Sequence, residues 1–456
     1  MKKGEIIEIN IEDVKFPNKG TATHNGKKVT IKGGLPGQKI SARISKIRHG
    51  EIEAKVIEVI EKASYEQEPG CKHFNDCGGC TYQNVPYEKQ IQIKSNQVKK
   101  ILDSVLTESY EFLPIVESPK KTEYRNKMEF SFGDEIKDGP LSLGMHKSNS
   151  FHSIINTSEC SIVDEDFREI LNNVLCYFQG NSQTFYHKTT NMGFLRYLIV
   201  RKTVKTKEIL INLITSSQGN LNEKEFVDVI LNSNLESTIK CIAHSIFDGV
   251  ADVAKAEEMK VLYGEDKIVE ELLGMKFNIS SFSFFQTNSL GAEKLYSIAR
   301  DFIGGTKDKV IFDLYSGTGT IGQILAPTAK KVIGIEIVEE AVEKANENAH
   351  LNNLDNCTFI AGDVLVKIDE LNDKPDIIVL DPPREGIHPK AIQKIIDYRP
   401  ETFIYISCKP TSLAKDLPVF LENGYKVEKV QCVDMFPMTP HVESIILMTY
   451  CGSEEK

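Results

Sequence analysis

Three apolar runs, each breaking off into a polar loop, limit the folds open to this 456-residue chain. Val310-Ile311-Phe312-Asp313-Leu314 leads into Tyr315-Ser316-Gly317-Thr318-Gly319-Thr320-Ile321-Gly322. Ile377-Ile378-Val379-Leu380 ends in Asp381-Pro382-Pro383-Arg384, and Phe403-Ile404-Tyr405-Ile406 in Ser407-Cys408-Lys409-Pro410. Short, branched, continuously apolar runs read as buried strands. From about residue 281 onward such runs alternate with helical segments, which predicts an α/β fold with a doubly wound, Rossmann-like sheet. The carboxyl ends of the strands in such a sheet share one crevice, where ligands bind. A glycine loop, an acidic Pro-Pro turn and a thiol are therefore expected to meet there.

The length exceeds one ordinary core, so two or three domains are expected. With 41% hydrophobic and 26% charged residues the composition is that of a globular chain. The sequence shows neither an apolar run of membrane-spanning length nor a signal-peptide core at Met1-Lys2-Lys3-Gly4-Glu5. Ten unevenly spaced cysteines point to a reducing compartment, the cytoplasm, with metal-binding or catalytic thiols. The net charge of −10 argues mildly against a nucleic-acid partner, but its distribution does not. Residues 1–62 hold 13 Lys and Arg against 8 Asp and Glu, a basic module compatible with local RNA binding.

Within 1–62, alternating segments (Ile7-Glu8-Ile9-Asn10-Ile11, Val29-Thr30-Ile31-Lys32) separated by Gly-rich turns predict a small OB-like β-barrel. Residues 63–280 are expected to form a mixed α+β central domain, and 281–456 the catalytic domain. In the central part, apolar residues at 87, 91, 98, 101, 102 and 105 predict a helical core stripe, and the segment 87–120 is expected to pack with the C-terminal domain.

Cys71, Cys77 and Cys80 lie within ten residues in a Gly-rich turn. Thiolates are soft ligands suited to iron–sulfur clusters or zinc. Cys160 is the best candidate for a fourth ligand, and His73 would suit zinc. Spacing alone leaves iron–sulfur and zinc open. Cys176, Cys241, Cys357, Cys432 and Cys451 read as small packing residues.

Gly317-x-Gly319-x-x-Gly322 is a weak signal alone. Its context sharpens it: the next strand, Lys331 to Glu336, ends in an acid able to accept both ribose hydroxyls, and the one after leads to Asp363, placed to meet an adenine amino group. Asp313 with Tyr315-Ser316-Gly317 resembles the S-adenosylmethionine loop of class I methyltransferases.

Asp381-Pro382-Pro383-Arg384, Ser407-Cys408-Lys409-Pro410, Pro440-His441-Val442-Glu443-Ser444, Phe285-Gln286-Thr287-Asn288 and Tyr124-Arg125-Asn126-Lys127 resemble the signatures of the uracil-C5 RNA methyltransferase family. The N-terminal module is similar to a TRAM domain. Cys71, Cys77, Cys80 and Cys160 match the members with a [4Fe-4S] cluster, so the resemblance implies iron–sulfur over zinc. It further implies S-adenosylmethionine held by Gln286, Tyr315, Gly317, Glu336 and Asp363, with Asp381 at the sulfonium or the base edge. Lys409 departs from the family, which more often has Asn there.

Uracil C5 is too weak a nucleophile to take a methyl group directly. A thiolate adding to C6 makes C5 enolate-like, and a base must then remove the C5 proton. The resemblance implies Cys408 as nucleophile and Glu443 as base; His441 reads as structural. Splaying the base out favours a loop or bulge of folded RNA. TRAM domain and thiol motif together resemble most the 23S rRNA enzymes, with tRNA as the alternative. The expected partners are RNA and no membrane, DNA or obligatory protein. The rival classes are a non-catalytic RNA-binding homologue, an iron–sulfur oxidoreductase, for which no redox-partner or flavin site is visible, and an amino-methyltransferase, whose Pro-Pro turn is followed by an aromatic residue rather than Arg384.

Overall fold

The computed structural model describes residues 1–452. Residues 1–62 supply six strands: β1 (Ile6–Asn10), β2 (Asp13–Lys15), β3 (Lys19–His24), β4 (Lys27–Lys32), β5 (Lys39–Arg48) and β6 (Glu51–Glu61). They form one sheet in the order β1-β5-β6-β4-β3-β2, wrapped round its own core of Ile7, Ile9, Val29, Ile31, Ile40, Ile44 and Ala54. Strict alternation of buried and exposed residues along β1 is what a one-sided core demands.

Helix α1 (Tyr87–Leu102) and strand β7 (Glu111–Phe112) follow. Next come β8 (Lys127–Asp134), β9 (Leu141–His146), β10 (Ile154–Asn156), α2 (Glu165–Gly180), β11 (Leu195–Lys202), β12 (Glu208–Thr215), α3 (Glu223–Leu231), β13 (Thr238–Ile246) and β14 (Glu258–Gly264). The seven strands β8–β14 make a central sheet ordered β10-β9-β8-β11-β12-β13-β14. Helices α2 and α3 cover one face through Phe167, Val174, Phe178 and Phe226. A hairpin, β15 (Ile268–Leu272) with β16 (Met275–Ile279), comes next; Ile268, Leu272, Phe277 and Ile279 are buried in the same cluster as the catalytic-sheet residues Ile311, Val332 and Val379.

The remaining chain alternates: α4 (Ser289–Ile303), β17 (Val310–Leu314), α5 (Thr320–Leu325), β18 (Lys331–Glu336), α6 (Glu339–Leu351), β19 (Cys357–Ala361), α7 (Val364–Lys367), β20 (Ile377–Leu380), α8 (Pro389–Asp397), β21 (Thr402–Ser407), α9 (Pro410–Glu422), β22 (Tyr425–Val433) and β23 (Glu443–Tyr450). The sheet order is β19-β18-β17-β20-β21-β23-β22-β7. The five strands from β19 to β21 run parallel, and β23 enters antiparallel between β21 and β22. Strand β20 is buried at every residue, as helices on both faces require. Strand order reverses between β17 and β20, the topological switch point where a doubly wound sheet opens its crevice.

Two sequence expectations change here. The buried face of α1 is not an apolar stripe: Gln90, Lys94 and Gln97 are buried on it, while Ile91 and Ile101 are only partly covered. Cys176 and Cys451 are exposed rather than packing residues, because Cys176 lies on the outer face of α2 and Cys451 follows the end of β23.

Candidate active site

The glycine loop turns sharply from β17 into α5. Tyr315 holds φ 64°, Gly317 φ 54° and Gly319 φ 72°. A non-glycine residue in the left-handed region is strained, and such strain collects at functional turns. A side chain at Gly319 would strike the Phe359 ring at 2.4 Å, whereas a Cβ at Gly317 would meet open space. Glu336, at the end of β18, accepts the Gly317 N–H at 2.9 Å and the Val338 N–H at 3.0 Å. Asp313 accepts the Gly322 N–H at 2.8 Å, and burial lifts its carboxyl to about 7. Its other oxygen and the Ser316 hydroxyl are buried without a protein partner. Asp363 caps the short α7, accepting the Leu365 N–H at 2.9 Å. Open space at Gly317, orphaned polar atoms on either side of Tyr315 and carboxylates at successive strand ends fit an S-adenosylmethionine-sized ligand with amino and ribose groups.

The Phe285-Gln286-Thr287-Asn288 segment follows Phe284, whose carbonyl accepts the Thr318 hydroxyl of this loop at 3.4 Å. Asn288 caps α4 through the Gly291 N–H and donates to the Met435 carbonyl at 2.8 Å. Asn126 donates to the Gln286 carbonyl at 3.0 Å and to Ser289 Oγ at 2.8 Å, joining the Tyr124-Arg125-Asn126-Lys127 segment to the same place. Phe285 is buried and Phe284 is 66% exposed at the rim. Burial raises the Tyr296 hydroxyl on α4, and the charge of Asp381, with that of Glu443, adds to it.

Cys408 occupies the turn between β21 and α9, whose Pro410 is the first helical residue. Glu443 opens β23, the neighbouring strand, and Asp381 follows β20 on the other side. Burial and the Glu443 charge push the Cys408 thiol up to about 11, with the Arg384 guanidinium pulling the other way. Burial and the Asp381 charge lift Glu443 to about 8, again opposed by Arg384. Loss of water around Asp381 raises its carboxyl to about 7, although part of its surface reaches the crevice. His441 is driven down to about 4 by burial and by Arg384, Lys94 and Arg125, so it is a neutral ring at physiological pH. The site thus gathers a thiol and two carboxyls around one cation. Arg384 separates this Pro-Pro turn from that of the amino-methyltransferases, but no sequence signal showed that it faces the thiol and Glu443. Tyr296 carried no signal, since on a helix it reads as core.

The thiol-rich loop lies against the 157–161 turn. His73 Nε2 accepts the Glu159 N–H at 3.1 Å, which engages one of the two ring nitrogens able to bind zinc. Gln83 donates to Cys80 Sγ at 3.6 Å and to Ser161 Oγ at 3.0 Å. Burial raises Cys80 to about 12 and Cys160 to about 11, and the charges of the other thiols of the set raise both further. Cys71, Cys77, Cys80 and Cys160 are therefore close enough to act on one another. Among the described residues, however, no three His, Cys, Asp or Glu side chains already stand as a coordinating group. Four thiols from two packed loops have the soft-donor chemistry that an iron–sulfur cluster takes.

Sheet order, glycine loop and strand-end acids define a class I methyltransferase fold. The tRNA (uracil-5-)-methyltransferase family model matches residues 86–450, and the TRAM domain model matches residues 1–57. An uncharacterized RNA methyltransferase of Clostridium tetani is 51% identical over 446 residues, covering 98% of each chain. Another, of Caldanaerobacter subterraneus subsp. tengcongensis, is 48% identical over 98% of this chain and 99% of its own. The chain belongs to the tRNA (uracil-5-)-methyltransferase family of RNA methyltransferases. Its fold is shared, at TM-score 0.77 and 24% identity, with the Pyrococcus abyssi tRNA (uracil-54, C5)-methyltransferase solved with S-adenosyl-L-homocysteine, over 97% of this chain and 100% of that one.

Proposed function

We propose that this protein transfers a methyl group from S-adenosylmethionine to C5 of a uridine in structured RNA, with 23S rRNA as the substrate. The observation that carries the reading is the placement of Cys408 beside Glu443, at the adjoining ends of β21 and β23, next to the glycine loop. S-adenosylmethionine, when bound, supplies an electrophilic methyl group; Gln286, Tyr315, Gly317, Glu336, Asp363 and Asp381 are the residues placed to hold it. Cys408, as the thiolate, adds through Sγ to C6 of the uridine, electron density shifts to C5, and C5 would take the methyl group with S-adenosylhomocysteine as the leaving group. Glu443 then removes the C5 proton, the C5–C6 double bond reforms and Cys408 leaves as thiolate. Arg384 is the cation beside the thiol that favours its ionised form. Exposed Phe284 suits stacking on a splayed base.

The TRAM module supplies RNA affinity through its basic residues. Cys71, Cys77, Cys80 and Cys160 hold a [4Fe-4S] cluster with a structural or RNA-orienting role, since methyl transfer needs no electron. A tRNA target is the second reading, favoured by the full-length likeness to the Pyrococcus abyssi enzyme.

Unmodified 23S rRNA and tRNA transcripts, incubated with methyl-labelled S-adenosylmethionine, test both. Cys408→Ala should give neither product nor adduct. Glu443→Gln should stop turnover while leaving labelled RNA bound to protein on a denaturing gel. Methylation of tRNA alone would overturn the rRNA assignment. Loss of the adduct in a Glu443→Gln protein that still binds RNA and cofactor would remove Glu443 as base.

A further inference from the structure

The turn that links β22 to β23, and so delivers Glu443, is gripped at four successive carbonyls by four separate parts of the chain. Asn288 Nδ2 donates to the Met435 carbonyl at 2.8 Å and Lys94 Nζ to the Phe436 carbonyl at 3.0 Å. The Tyr124 hydroxyl donates to the Pro437 carbonyl at 3.0 Å. The Met438 carbonyl receives the Thr81 and Tyr82 N–H groups at 2.8 and 2.9 Å, immediately after Cys80. From the other side, the Met438 N–H donates to Gln90 Oε1 at 2.8 Å. Met438 itself holds φ 65°, a conformation that needs such restraint.

Gln90 and Lys94 lie one helical turn apart on α1 and share a face. Both are fully buried. Lys94 Nζ also donates to Asp434 Oδ1 at 2.7 Å, a pair with neither side chain exposed. Gln90 Nε2 donates to the Tyr82 and Val85 carbonyls at 3.1 and 2.8 Å, so one side chain spans the thiol-bearing loop and the turn. A buried ion pair is weak evidence of stabilisation, since apolar residues of like volume serve as well or better. Burying Gln90 and Lys94 on a helix that could have been apolar, with Asp434 of the turn buried opposite Lys94, therefore calls for a geometric reason. The turn supplies one: its last gripped residue, Met438, lies five residues before Glu443.

We propose that Gln90 and Lys94, with the Thr81 and Tyr82 amides of the thiol-bearing loop, are positioning residues for Glu443, fixing the 434–439 turn so that the carboxylate meets the C5 proton. The inference rests on the assignment of Glu443 as base. It also gives the thiol loop a catalytic consequence, because a shift at Cys80 reaches Met438 through the next two residues.

The test uses the full-length protein, methyl-labelled S-adenosylmethionine and whichever unmodified transcript, 23S rRNA or tRNA, the wild-type protein methylates. In single turnover, Lys94→Met should form the methylated adduct at close to the wild-type rate. Its release should slow by between about ten- and a hundredfold, the scale set by misplacing a reacting group by an ångström or less. Labelled adduct should accumulate as in Glu443→Gln, and Lys94→Arg should restore release. Gln90→Met, similar in length and uncharged, reads the same turn should Lys94→Met not fold. Slowing of adduct formation and cofactor binding to the same extent as release would mark these residues as structural and overturn the proposal; so would unchanged release. Absence of adduct in Glu443→Gln itself would instead overturn the underlying assignment.

Discussion

Cys408 follows, and Glu443 precedes, the Ser407–Ser444 pair that ends the antiparallel ladder of β21 and β23, and the Glu443 charge acts on the thiol there. Directly opposed residues on antiparallel strands bring their Cβ atoms to roughly 5 Å. A nucleophile and a base acting on adjacent atoms of one pyrimidine ring need that proximity. Both groups are held in their protonated forms by burial, the thiol near 11 and the carboxyl near 8. Each must therefore lose its proton before it can serve as the proposed nucleophile or base, a loss that the Arg384 cation favours at both.

Release of the covalent intermediate should rise with pH. With its carboxyl near 8, Glu443 is ionised in only about one molecule in ten at neutral pH. Single-turnover loss of tritium from [5-³H]uridine RNA should climb through about pH 8 and level off above it. A flat profile between about pH 6 and 9 would count against Glu443 as the base.

The same carboxyl should make the protein less stable in alkali. Its folded pKa lies above the ordinary glutamate value, so the folded state binds the proton more tightly. The resulting stabilisation is complete below about pH 4 and is lost as pH rises through about 8. Glu443→Gln, with no proton to lose, should match the wild type near pH 5 and exceed its stability at pH 9 by about 4 kcal/mol. Denaturant unfolding at the two pH values measures this; a difference independent of pH would refute the linkage.

Anaerobically purified protein should be brown and contain about four iron and four sulfide per chain. Cys160→Ala should bleach it and lower its thermal midpoint. A colourless, fully active protein with stoichiometric zinc would rule out the iron–sulfur reading.

The catalytic half was legible because its strands are buried on both faces. Ile377–Leu380 and Phe403–Ile406 are continuously apolar and stop where chemistry begins, so both element and loop show in one dimension. The nearness of Cys408 and Glu443 was not legible, since it depends on β23 entering antiparallel between β21 and β22. Nor was the polar face of α1. A search for apolar periodicity passes over Gln90, Lys94 and Gln97, whose partners Asp434, Phe436 and Met438 lie some 340 residues away and, for Gln97, at Val14. The hairpin β15–β16 lay before the boundary expected at 280, yet its apolar side chains are buried with the catalytic sheet.

Lys409 separates stability from nucleophile chemistry. It occupies the N-cap of α9 and makes no side-chain cap bond. Asn, the commoner family residue, would accept a free N–H of the first turn and should stabilise the helix by about 1 kcal/mol. Lys409 is also the cation nearest Cys408 in sequence, yet the charges acting on the thiol are those of Glu443, Arg384 and Asp381. Lys409→Asn should therefore raise the thermal midpoint and leave the pH profile of Cys408 alkylation by iodoacetamide unchanged. Arg384→Gln should move that profile to higher pH, because it removes the cation that opposes burial. If the Lys409 variant shifted the alkylation profile as far as the Arg384 variant, the thiol's counter-charge would have to be reassigned to Lys409. The family's Asn would then mark a different way of activating the same nucleophile.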